Sequence, residues 1–158
     1  TGEAKSENQA MLKSILVPLD GSELAESVLP MTADVAKKLD LEVELFRAYH
    51  IPHNVYAGDE GFYAGNYEEL IAGVRDEAVE YLDKKAADLK RLGVAKVTCV
   101  TKEGFAADEI ILLGRKTQDN LIAMSSHGRS GVKRWMLGSV AETVVRHAGD
   151  PVLIYRPL

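Results

Sequence analysis

Between Ser125 and Ser139 the sequence reads Ser-Ser-His-Gly-Arg-Ser-Gly-Val-Lys-Arg-Trp-Met-Leu-Gly-Ser. Arg129, Lys133 and Arg134 bring three positive charges into a stretch with no acid, in a chain whose formal net charge is −5. Glycines in such a loop let backbone amides approach an anion without a Cβ in the way. Gly138-Ser139 stands where a helix is expected to start, and the N–H groups and dipole of a helix start favour a phosphate. The Ser139 hydroxyl suits a cap, a phosphate contact, or both. The same residues also suit a surface loop that runs into a well-capped helix, and residue types alone do not choose. Asp20 adds a carboxylate after a short apolar run. It can accept a hydrogen bond from a ribose hydroxyl or an adenine amine, or it can cap the helix that follows.

Other chemistries find less support. No Gly-x-x-x-x-Gly-Lys-Ser/Thr occurs, so there is no Walker-type phosphate loop. No Gly-x-Gly-x-x-Gly follows the first apolar run, so there is no standard dinucleotide fingerprint. His127 beside Ser125 and Ser126 resembles a base next to a nucleophile, but the Gly-x-Ser-x-Gly of a hydrolase elbow is absent. His50 and His53, with Asp59 and Glu60 downstream, lack a third ligand at a compelling spacing, and Pro52 precludes a shared helical face. They read as a solvated loop. Cys99 lies mid-strand and reads as a small buried hydrophobe. Trp135 reads as an anchor for its loop, and the acids at Glu68–Glu69 and Asp76–Glu77 read as a solvated helix face.

The elements that must position these groups follow from periodicity. Residues 13–19 read as a strand. Leu24, Val28, Met31, Val35 and Leu39 then mark one helix, bent at Pro30. Residues 42–48 alternate as a strand, and 49–66 follow no period and read as a long loop. Residues 67–92 form a helix that Gly93 ends. Residues 95–101 are a strand, 106–116 a helix, and 120–125 a continuous apolar strand of the kind buried on both faces. Ser139 with Glu142 makes a capping box for a helix over 140–148, and 151–155 is a last strand. Alternating strands and helices call for a parallel sheet with helices on both faces. Ligands in such sheets lie beyond the carboxyl ends of the strands, where strand order reverses.

The chain has 158 residues, room for one domain. Residues 1–11 are polar and read as a disordered tail or a cloning remnant, and 12–158 as a single domain. Hydrophobic residues are 46% and charged residues 27%, a globular composition. The acidic balance argues against nucleic-acid binding, which needs a basic surface. One cysteine excludes an internal disulfide and fits a reducing compartment. No apolar run approaches the ~20 residues of a membrane helix, so no membrane insertion is expected.

The residues Ile15-Leu16-Val17-Pro18-Leu19-Asp20-Gly21-Ser22, the Ser-His-Gly-Arg-Ser-Gly and Leu-Gly-Ser-Val-Ala-Glu segments, and the closing Pro151-Val152-Leu153-Ile154-Tyr155 resemble the ATP-binding universal stress proteins. That family lies in the adenine nucleotide α-hydrolase-like superfamily. The resemblance runs from about Lys13 to Pro157. The family's motif is Gly-x2-Gly-x9-Gly-Ser/Thr. Gly128 and Gly138-Ser139 match its later positions, while Ser125 stands where its first glycine would be.

The resemblance implies a three-layer α/β/α domain, Rossmann-like or flavodoxin-like, with a five-stranded parallel sheet in the order 3-2-1-4-5. It implies that Pro18, Leu19 and Asp20 line the adenosine end, with Ala48 at the adenine. Met124 and Ser125 would flank the ribose. Gly128, Gly138, Ser139 and Val140 would meet the phosphates, with His127 and Arg129 nearby. The implied ligand is ATP, with or without Mg2+, and the implied partner is a second copy paired through Val152 to Tyr155. The expected role is a cytoplasmic stress-response regulator, with ATP hydrolysis slow at most. Two other functions compete with it. One is an interaction module of the same fold that binds no nucleotide, and the other is an adenylating or nucleotide-hydrolysing enzyme. AMP or a cyclic nucleotide is the alternative ligand.

Overall fold

The computed structural model describes residues 12–51, 67–127 and 136–157. Five strands, β1 (Ser14–Pro18), β2 (Glu42–Tyr49), β3 (Val97–Glu103), β4 (Asn120–Ser125) and β5 (Val152–Tyr155), form one sheet. All neighbours are parallel and the order is β3-β2-β1-β4-β5. The expected fold class and strand order are therefore observed. The helices are α1 (Glu23–Glu26), α2 (Leu29–Leu39), α3 (Tyr67–Arg91), α4 (Ala106–Lys116) and α5 (Ser139–His147).

Strand alternation sorts the apolar residues into two cores. Ile15 and Val17 of β1, with Val43 and Leu45 of β2, pack under Ala33 and Ala36 of α2 and Leu82 and Leu89 of α3. Leu16, Phe46, Ile122 and Met124 face the other way, under Ile110 and Ile111 of α4 and Ala141 and Val144 of α5. Each fully buried Leu or Ile contributes about 1.5–3 kcal/mol of burial energy. Glu44 shares the second face with Phe46 by alternation, and burial pushes its carboxyl above the usual range.

Local chemistry moves several boundaries from those expected. The single bent helix is instead two helices. Ser27 and Val28 separate α1 from α2, and Pro30 sits in the first turn of α2. A proline has no N–H and its ring crowds the carbonyl four residues back, so it fits a helix start better than an interior. The third strand runs two residues later than expected, because its register follows β2 from Val43↔Val97 to Tyr49↔Glu103. Helix α5 starts at Ser139 with Gly138 as its N-cap, so Ser139 is not the cap and the expected capping box does not form. Glu142 turns instead to Arg146, four residues on. Gly93 follows α3 with φ +98, the left-handed turn that glycine accommodates best.

Candidate functional site

Pairing between β1 and β4 stops at Leu16↔Ile122, although β1 continues to Pro18 and β4 to Ser125. The Leu19 amide turns away to donate to the Phe46 carbonyl of β2 at 2.8 Å. The strands part at this switch of strand order, and the opening is a cleft of about 260 Å³.

Phe46 and Ala48 of β2 with Ala106 and Ile110 of α4 give the cleft one apolar end. Pro18, Leu19, Asp20 and Ala25 form the β1 side, and Met124, Ser125, Ser126 and His127 the β4 side. Gly138, Ser139, Val140 and Ala141, at the start of α5, close the opposite end. The sequence candidates Pro18, Leu19, Asp20, Ala48, Met124, Ser125, His127, Gly138, Ser139 and Val140 thus all line one cleft. Gly128 and Arg129 lie outside the described residues, as do Lys133, Arg134, Trp135, His53, Asp59 and Glu60.

Sequence reasoning missed Ala25, Phe46, Ala106, Ile110 and Ala141, and it weighed Ser126 only as a nucleophile. The five apolar ones carry no polar group, only shape and apolar surface. Phe46 was within reach, since it sits two residues before Ala48 and strand alternation puts both on one face. Ala106 and Ile110 were also within reach, being spaced i, i+4 on one helix face.

Ser22 is the N-cap of α1, and Asp20 holds Ser22 in place. The Ser22 Oγ accepts from the Ala25 amide at 3.1 Å and donates to the Asp20 Oδ1 at 2.6 Å. The Asp20 Oδ1 also accepts from the Ser22 amide at 2.9 Å. Gly21 turns between them with φ +87. The carboxylate therefore lines the cleft and holds the turn that starts α1.

That short helix is pinned from behind. The Tyr81 hydroxyl of α3 donates to the Glu26 Oε1 at 2.8 Å, and the Lys85 ammonium donates to the Glu26 Oε2 at 2.8 Å. The Arg47 guanidinium lies 4.7 Å from the centre of the Tyr81 ring. Burial, then the neighbouring Glu26 carboxylate, pushes the Tyr81 phenol far above its usual value.

On the β4 side, Gly138 comes very close to the end of the strand. Its amide donates to the Ser126 carbonyl at 2.7 Å, and a Cβ at Gly138 would lie 3.3 Å from that oxygen. The residue is glycine here for space rather than for its φ of −62. Ser125 is 6% exposed and its Oγ has no partner among the described residues. The His127 Nδ1 lies 3.0 Å from the Ser126 Oγ, and its Nε2 is buried with no partner among the described residues. A buried polar atom left unpaired costs about 1–3 kcal/mol. Ser125 and His127 both line the cleft beside the start of a helix of nine residues, whose N–H groups and dipole suit an anion, and the other end of the cleft is apolar. Among the described residues, no group of three or more His, Cys, Asp or Glu stands close enough to hold a metal ion. No described helix is long and apolar enough to cross a membrane.

The model of the universal stress protein family matches residues 11–156. The chain belongs to this family. It is 31% identical over 146 residues to the universal stress protein MJ0531 of Methanocaldococcus jannaschii, covering 92% of this chain and 83% of that one. Among solved structures it superposes on the hypothetical protein MJ0577 with a TM-score of 0.78 and 27% identity, covering 94% and 98% of the two chains. It shares its fold with a universal stress protein in complex with cAMP, at a TM-score of 0.63 and 18% identity, covering 92% and 98%. It likewise shares its fold with the Arabidopsis thaliana family member At3g01520 with AMP bound, at a TM-score of 0.65 and 14% identity, covering 92% of each chain.

Proposed function

We propose that this universal stress protein binds an adenine nucleotide in the β1–β4 cleft and acts as a nucleotide-dependent regulator in the cytoplasm. The observation that carries the reading is the cleft itself. It is apolar at the β2–α4 end, where a base would lie, and it holds the start of α5 at the other, where a phosphate would lie. Asp20 stands on the β1 side as a hydrogen-bond acceptor, and Ser125 and His127 line the β4 side. Fold relatives bound to cAMP and AMP support the same class of ligand. ATP is the nucleotide the motif positions imply. Mg2+ would then arrive on the phosphates, since the described residues offer it no cluster of ligands. Any hydrolysis of ATP is expected to be slow.

Calorimetric titration and thermal shift with ATP, AMP and cAMP, each with and without Mg2+, test the reading. Binding of at least one at millimolar concentration or below is expected. No heat and no shift with any of them overturns it. The second reading, an interaction module without nucleotide, draws on Ser125, which lines the cleft where the family motif has glycine. A Ser125→Gly variant that binds nucleotide when the parent does not would favour it.

A further inference from the structure

Helix α1 is four residues long, too short to hold itself in water. Its hold comes from α3, which lies on the opposite face of the sheet from α4 and α5. Glu26, the last residue of α1, is gripped on both carboxylate oxygens. The Tyr81 hydroxyl donates to one and the Lys85 ammonium to the other, each at 2.8 Å. The Glu26 and Lys85 side chains are only 23% and 22% exposed, so their pair is not one of the fully solvated kind that contributes little. The Arg47 guanidinium lies against the Tyr81 ring and helps to fix the aim of its hydroxyl.

From Glu26 the order runs back to the cleft through hydrogen bonds. The Glu26 amide donates to the Ser22 carbonyl at 3.1 Å. The Ala25 amide donates to the Ser22 Oγ at 3.1 Å, and the Ser22 hydroxyl donates to the Asp20 Oδ1 at 2.6 Å. Ala25 and Asp20 line the cleft, whereas no described residue of α3 does. Gly21 joins Asp20 to Ser22 at φ +87, and glycine by itself restrains such a turn least of all residues.

We propose that Tyr81 and Lys85 are positioning residues for the nucleotide. By gripping Glu26 they keep α1 formed, and α1 keeps the Asp20 carboxylate on the cleft wall. Affinity in the cleft is thereby set in part from the far face of the sheet. The inference rests on the nucleotide-binding reading above and adds residues that line no part of the site. A cleft wall that is formed for only a fraction of the time loses affinity by that fraction. The coupling is reciprocal, so a nucleotide that requires the formed turn tightens the hold of α3 on Glu26.

The test is titration of the parent, Glu26→Ala, Tyr81→Phe, Lys85→Met and Val94→Ala with ATP, AMP and cAMP, together with hydrogen exchange at the Ala25 amide without ligand. Val94 is buried just before β3, so Val94→Ala opens a core cavity at the end of the sheet away from the cleft. Glu26→Ala frees both grips. It is expected to weaken nucleotide binding about fivefold and to speed exchange at Ala25. Tyr81→Phe and Lys85→Met each leave one grip and are expected to weaken binding about twofold; they carry the test should Glu26→Ala not fold. Val94→Ala is expected to bind as the parent does, although it is less stable. The proposal is overturned if freeing the grips leaves affinity at the parent value, if affinity falls while exchange at Ala25 is unchanged, or if Val94→Ala weakens binding as much as Glu26→Ala. Those outcomes leave nucleotide binding intact, whereas a parent that binds none of the three nucleotides overturns both readings.

Discussion

Asp20, Ser125 and Gly138 were singled out in the sequence because each carries a chemical or conformational signal, and all three line the cleft. Ser126 carried a hydroxyl too, but its partner, the adjacent His127, emerges only from side-chain geometry. Asp150 shows a second kind of hidden property. Nothing in its sequence neighbourhood marks it, yet the fold brings its carboxylate against α4, so close that a Cβ at Gly114 would lie 2.5 Å from the Asp150 Oδ2. Burial pushes the Asp150 carboxyl above its ordinary value. The folded state therefore favours the protonated form. Stability supplied by this group is present at low pH and is lost as pH rises through the ordinary carboxylate range to the raised folded value. Asp150→Asn is expected to be more stable than the parent at pH 7, with the difference shrinking toward pH 3. Urea denaturation of both proteins across that range checks the sign. The comparison must be variant against parent, because Asp34 and Glu80, held low by Lys38 and Lys84, move the total in the opposite direction.

Elements were read from the sequence wherever one period dominated. Helix α4 and strand β4 have the bounds expected, Ala106–Lys116 and Asn120–Ser125. Misreadings arose where two local rules competed. The periodic stripe from Leu24 to Leu39 spans both α1 and α2, and only the backbone chemistry of Pro30 divides them. At α5 the Ser139 and Glu142 pattern fitted a capping box, but the close approach of Gly138 to Ser126 starts the helix one residue earlier. Helix α1 is only four residues long, so it depends on tertiary anchors more than on its own hydrogen bonds. Tyr81→Phe removes the anchor to Glu26 while keeping the ring under Arg47. The expected loss is roughly 1–2 kcal/mol in urea denaturation, moderated because Lys85 still holds Glu26. A loss near zero would mean that Lys85 alone secures the helix.

At the scale of the whole molecule, alternation of strands and helices was enough to name a parallel sheet, and the family resemblance supplied its order. What the sequence could not supply was where neighbouring strands stop pairing, because that depends on twist and crossover geometry rather than on any residue type. The sheet also leaves β5 at one edge, with Val152, Leu153, Ile154 and Tyr155 each half-buried. We propose that a second copy covers this edge, since an apolar edge strand is otherwise a liability. The Pro151 and Tyr155 carbonyls accept from Ile122 and Ser126 of the β4 side. In a parallel ladder the alternate residues Val152 and Ile154 then direct their backbone groups outward. Ile154→Pro removes an outward N–H and spares the ladder to β4. Sedimentation equilibrium is expected to show a dimer for the parent and a monomer with unchanged far-ultraviolet circular dichroism for the variant. A monomeric parent, or a dimeric variant, would dispose of the edge-to-edge arrangement.

The short register between β1 and β4 has a mechanical consequence. It runs over three residue pairs, against five for β1–β2 and seven for β2–β3. The protein is thus two leaves, β3-β2-β1 and β4-β5, stitched along a short spine and open at one end. Local opening concentrates where the stitching is sparse. A molecule gripped by both leaves at the open end would act as a clasp, and the stiffness it lent to the sheet would reach well beyond the atoms it touched.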